Sequence, residues 1–112
     1  SHILHVARGL QNSQGSVMHS LHRIADGNAE AMDFTVGPST RHLGVPLKDL
    51  QLRSGILLAV IVRGKEIIIP EGSTCLMEND GVIIIARESG ILDLNDIYED
   101  EFPFPAPGST AL

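Results

Sequence analysis

The spacing of apolar positions predicts a series of short strands with two short helices among them. In residues 29–36, Met32, Phe34 and Val36 alternate with Ala31, Asp33 and Thr35, so one face of a strand is buried and the other solvated. Residues 17–24 read as a partner strand, and Asp26-Gly27-Asn28 between them is a hairpin signal. Gly37-Pro38-Ser39-Thr40 breaks the pattern. Leu43, Leu47 and Leu50 then follow at helical spacing around Pro46. Proline suits the first turn of a helix and not its interior, so a short helix is expected from Val45 or Pro46, ending before Ser54-Gly55. Residues 56–62 are continuously apolar, as in a strand covered on both faces. Arg63-Gly64-Lys65 is a turn, and residues 66–69 form the returning arm up to Pro70. Another strand is expected over residues 82–86, after the turn-forming Glu78-Asn79-Asp80-Gly81. Ile91, Leu94, Ile97 and Tyr98 give a last helical stripe with the acids on its other side, ending around residues 99–101.

The two ends read differently. Ile3, Val6, Ala7 and Leu10 sit at helical spacing with Gly9 near the stop, but nothing precedes them for that stripe to pack on. Residues 1–15 are therefore expected to be a helical end and connector from a longer chain, residues 16–99 the folded domain, and residues 100–112 a proline-rich flexible tail.

Of the 112 residues, 43% are apolar and 20% charged, an ordinary globular balance with room for one modest core. The longest wholly apolar run, residues 56–62, is far short of the ~20 residues a membrane-spanning helix needs. Cys75 is the only cysteine, which excludes an internal disulfide and a cysteine-based zinc site and is compatible with a reducing cytoplasm. The formal charge of −6 is placed unevenly, because the first 87 residues carry eight acids and eight bases and six more acids follow Arg87. No basic face is formed that could neutralise nucleic-acid phosphates, and an acidic end is repelled by anionic lipid headgroups. Any connection to a membrane is expected to run through a protein partner, without direct insertion.

Sites of chemistry are sparse. Five histidines raise the question of a metal, but His19 and His22 on one strand are expected on opposite faces. Cys75 and Ser20, Ser39, Ser54 and Ser73 stand in no nucleophile signature, and Cys75 reads as a small packing residue. No G-x-G-x-x-G triple opens a helix, so no NAD site is expected in this chain, and an enzyme is the least favoured reading. Arg53 and Arg63 flank the most apolar strand, where a guanidinium and strand-end amides meet an anion together; the plainer reading is exposed turn cations. The acidic last helix with Phe102 and Phe104 beyond it is either a docking surface for a basic partner or a solvated face.

Three blocks carry a family resemblance: residues 44–50 (GVPLKDL), residues 55–70 (GILLAVIVRGKEIIIP) and residues 78–85 (ENDGVIII). With His5, Arg8-Gly9, residues 17–21 and Ala29-Glu30-Ala31, they resemble the TrkA C-terminal domain, also called the RCK C-terminal domain, over residues 1–99. Asn79-Asp80-Gly81 departs from the Gly-Asp usual before the last strand, and the nucleotide-binding half that holds NAD or ATP in longer relatives is missing. The resemblance implies a small α+β, two-layer domain with an antiparallel or mixed β-sheet and short helices, preceded by a β-hairpin. It further implies a cytoplasmic homodimer within a larger ring, peripheral to the inner face of the plasma membrane, that gates an integral membrane potassium transporter. Some relatives bind cyclic di-adenosine monophosphate (cyclic di-AMP) between two such domains, which points to Arg53, Ile56 and Leu57, with Gln51 where an acid is usual. No cofactor is expected in the fragment itself. The alternatives are a dimerisation module with no ligand and the same domain on an anion or amino-acid exchanger.

Overall fold

Alternation of large apolar and small or polar side chains makes a pleated sheet whose two faces differ. The computed structural model describes residues 15–87 and 90–99. Five strands are present: β1 (Ser16–Ile24), β2 (Ala29–Val36), β3 (Ile56–Arg63), β4 (Glu66–Ile68) and β5 (Gly81–Ala86). They form one sheet in the order β1-β2-β5-β3-β4, with every neighbouring pair antiparallel. The strands expected over residues 29–36 and 82–86 are found there, and the buried positions of β2 include Met32, Phe34 and Val36.

Phe34 pairs with Met18 on one side and Val82 on the other, and Ile84 pairs with Met32 and Leu58. This face is the core. Aliphatic burial contributes about 25 cal/mol per Å2, and the sheet face is closed by Leu76, Ile91, Leu94, Ile97 and Tyr98, all buried. Leu43, Leu47, Leu50 and Leu52 pack at its margin.

The covering layer differs from the sequence expectation. No α-helix occurs among the described residues; both expected helices are single 3-10 turns, Leu47–Asp49 and Leu94–Ile97. Pro46 lies outside the first of these with extended backbone, and Leu50 is already extended again. The leucine spacing is satisfied by a chain that is pinned at intervals: Leu47 and Lys48 donate to the carbonyls of Thr74 and Gly72, and Glu99 donates to that of Gln51. Long-range backbone bonds have replaced those of a helix. The sheet is wholly antiparallel rather than mixed.

The β1–β2 pair does not precede the sheet as a separate unit but forms two of its five strands. Its connection is a turn over Ala25–Gly27 in which Ala25, Asp26 and Gly27 are all left-handed, rather than a two-residue Asp-Gly turn. A bulge at His19 shifts the β1 alternation, so His19 reaches Thr35 while His22 pairs with Ala31. These histidines therefore address one face of the sheet, against the strict alternation expected of them. The continuously apolar β3 is covered on one face only: Leu58 and Ile61 are buried, whereas Leu57 is 57% exposed. The helical end at residues 1–10 and the tail at residues 100–112 lie outside the described residues.

Gly37 marks the tightest backbone crossing. Its N–H donates to the Gly15 carbonyl and to Thr40 Oγ1, and a Cβ there would collide with the Gly15 carbonyl oxygen. Gly37→Ala is expected to cost about 1–3 kcal/mol, read as a lower urea midpoint with an unchanged slope; an unchanged midpoint would show that the crossing yields freely.

Candidate functional site

Each polar group brought into the interior is committed to a backbone partner, and the sites differ in how completely. Asp93 is buried at the N-terminus of the last 3-10 turn, where its carboxylate accepts from Ser16 Oγ at 2.6 Å, Ser16 N at 2.9 Å, Gly15 N at 3.3 Å and Asn95 N at 3.0 Å. Ser16 Oγ accepts in turn from Leu94 N. Asp96 completes a capping box, accepting from the Leu92 and Asp93 amides. These two acids thus face the backbone and not solvent. An Asp-x-x-Asp spacing before Ile97 was the available signal for this cap, obscured by the reading of a longer acidic helix.

Arg63, one of the two candidate anion-binding cations, ends β3. Its Nε and Nη2 donate to the two oxygens of buried Asp80 at 2.9 and 2.8 Å, and Nη2 also reaches the Cys75 carbonyl. Asp80 also accepts from Met77 N at 2.9 Å. The hydrogen bonds to Asp80 outweigh burial and push the Arg63 pKa above its ordinary value, so the guanidinium stays charged. Arg63 is a planar clamp on the turn before β5.

Arg53 stands at the other end of β3, roughly 23 Å from Arg63 at the rise of a strand. Its N–H donates to the Ile97 carbonyl and its Nη1 to the Asp96 carbonyl at 2.9 Å. Ile56 and Leu57 open β3 on opposite faces, Ile56 against the margin of the core and Leu57 outward. The four sequence candidates therefore divide: Arg53, Ile56 and Leu57 share one end of the sheet and Arg63 does not join them.

Arg87 was missed by sequence reasoning. Its N–H donates to the Gly55 carbonyl, and its side chain lies over Gly55, whose left-handed backbone (φ 82°) leaves that surface open. Arg53 and Arg87 thus bracket the start of β3. Among the described residues, no carboxylate lies within ion-pair distance of either.

Cys75 is half-buried with its thiol directed at the Ser73 carbonyl, and among the described residues no group of three His, Cys, Asp or Glu side chains could hold a metal. Among the same residues no helix is long and apolar enough to cross a membrane.

Comparison with known proteins places this geometry. A family model described as the TrkA-C domain matches residues 31–98. The "Trk system potassium uptake protein TrkA homolog 2" of Methanosarcina mazei is 28% identical over 79 residues, covering 70% of this chain and 18% of the relative. A "Trk system potassium uptake protein TrkA homolog" of Archaeoglobus fulgidus is 32% identical over 75 residues, 67% of this chain and 17% of that protein. The "K(+)/H(+) antiporter NhaP2" of Shewanella oneidensis is 28% identical over 69 residues, 62% of this chain and 12% of the antiporter. The chain spans about a fifth of the length of the first curated relatives it matches.

Asp80→Ala strands the Arg63 fork and the Met77 amide and is expected to cost about 2–4 kcal/mol, whereas Arg53→Ala, which gives up one backbone acceptor, costs under about 1 kcal/mol. Urea unfolding of the two variants checks the order; equal losses would contradict the assignment of Arg63 as the structural clamp.

Proposed function

The chain belongs to the TrkA-C domain family, and from that premise we propose that it is a non-enzymatic regulatory domain of a Trk-type potassium-uptake protein. It works as a cytoplasmic homodimer, within a larger ring, that gates an integral membrane potassium transporter. The observation carrying this reading is the family match over residues 31–98, joined to relatives whose names are those of potassium-uptake proteins.

A small anionic ligand supplies the signal, and cyclic di-AMP is the candidate. Arg53, with Ile56 and Leu57, receives it at the start of β3, where a charged guanidinium and an exposed leucine lie within a few residues of each other. The base of such a ligand would rest on the aliphatic side chains and its phosphates on the guanidinium. Arg63 contributes indirectly by fixing the far end of the strand. A ligand shifts the dimer only by binding two arrangements with different affinity.

Arg53 is placed to translate that difference into movement. Its Nη1 holds the Asp96 carbonyl, Asp96 caps the turn begun by Asp93, and Asp93 holds Ser16 at the start of β1. Drawing Arg53 toward a phosphate loosens the last turn and with it the point where the upstream chain joins the sheet.

A second reading has its own support: the similar stretch in a K(+)/H(+) antiporter favours the same domain serving a different class of transporter. The sequence upstream of Ser1 distinguishes the two.

Calorimetric titration of the chain with cyclic di-AMP is expected to show micromolar or tighter binding at one ligand per dimer, weakened at least tenfold in Arg53→Ala. Binding that is unchanged in the variant would remove Arg53 from the site, and no heat in either protein would leave a ligand-free dimerisation module.

A further inference from the structure

The face of the sheet opposite the core is divided into a polar half and an aliphatic half. On β1 and β2 it carries Ser20, His22, Asp33 and Thr35, since Ser20 pairs with Asp33 and His22 with Ala31. On β5, β3 and β4 the corresponding positions are Ile83, Ile85, Leu57, Val60, Val62 and Ile67, every one aliphatic. The assignment follows from register: Leu57 pairs with Ile85, Val60 with Ile83 and Val62 with Ile67, while the alternate residues Val82, Ile84, Leu58 and Ile61 are buried in the core. Gly81, opposite Val62, adds no side chain, and its open Cβ position is filled by Val62 at 3.5 Å.

Leu57 and Ile67 are 57% and 62% exposed, and none of the six patch residues carries a charge or a side-chain hydrogen-bonding group. We propose that this β5-β3-β4 face is the surface on which a second copy of the chain packs, sheet against sheet. The inference rests on the homodimer reading above and names its interface.

Charge and size favour a second copy over other occupants. Two chains of formal charge −6 repel wherever acids oppose one another, and this block allows them to close without placing a carboxylate against a carboxylate. A partner recognised by charge or hydrogen bonds would find nothing here to read. Three strands at ~4.8 Å spacing and about five positions of ~3.3 Å give a flat block of roughly 200–250 Å2, the centre of an interface that needs about 800 Å2 per partner. The polar column on β1 and β2 supplies part of the rim, which is the usual division of a protein interface. Aligned sheet packing with an ~10 Å gap accommodates side chains of this size.

Ile67→Asp tests the assignment, because Ile67 lies on an exposed three-residue edge strand and the folded chain tolerates a carboxylate there. Light scattering and sedimentation of the wild-type chain at tens of micromolar are expected to give twice the chain mass, and Ile67→Asp the single mass with an unchanged circular-dichroism spectrum. His22→Asp, on the polar half, is expected to remain dimeric. If the wild type and Ile67→Asp are both dimers with equal dissociation constants, the face is wrong and the homodimer reading stands. A monomeric wild type would overturn both. Should Ile67→Asp lose its fold, Ile67→Ser is expected to weaken dimerisation at least tenfold, and no weakening in that variant would reject the face.

Discussion

The buried carboxylate of Asp93 ties the first described residues to the last. Gly15 and Ser16 begin β1 at one edge of the sheet and Leu94–Ile97 closes the core; without an acceptor between them, several amides would be buried unpaired. An unsatisfied buried polar group costs on the order of 1–3 kcal/mol, so the site is expensive to break. The backbone crossing of Gly37 over Gly15 and the reach of Thr40 Oγ1 to the Gly15 carbonyl at 2.5 Å depend on the same placement. Tyr98, buried in the core with its hydroxyl donating to the Arg41 carbonyl, extends the junction across the covering layer.

This tie gives the domain a direction. The sheet is one antiparallel body, rigid across β2, β5 and β3, while its cover is made of 3-10 turns and irregular chain held by individual hydrogen bonds. Such a cover moves by exchanging a few bonds and does not require a helix to shift. Arg53 touches it at Asp96, and the junction at Asp93 carries the displacement to the start of β1. The opposite face has no such cover, and its aliphatic half is where a dimer finds area without opposing charges. A regulatory domain needs both properties: a surface that sets an assembly and a movable layer linked to the chain that leaves it.

Strands were legible wherever one face is buried and the other is not. The period-two pattern of Met32, Phe34 and Val36 and the run Val82 to Ala86 gave β2 and β5 within a residue. The helices were not, because Leu43, Leu47 and Leu50 fit helical spacing equally well when a non-helical chain drops a leucine onto the sheet at intervals. A continuous apolar run does not distinguish a strand buried on both faces from one whose second face awaits a partner, and β3 is the latter. Of the candidate site, Arg53 and Leu57 were found from position at a strand end. The commitment of Arg63 to Asp80 was hidden because the pair is 17 residues apart in sequence and meets only through the fold. Arg87 was hidden likewise, its place over Gly55 being set by β3–β5 pairing.

Hydrogen exchange of the chain with and without cyclic di-AMP tests the central claim that ligand contact at Arg53 is communicated through Asp96 and Asp93 to the start of β1. The account predicts altered exchange at the amides of Arg53 and Asp96 and also at those of Ser16 and Leu94, which lie on Asp93 and Ser16 Oγ. A change confined to residues 53–57, or none on saturation with ligand, would contradict it.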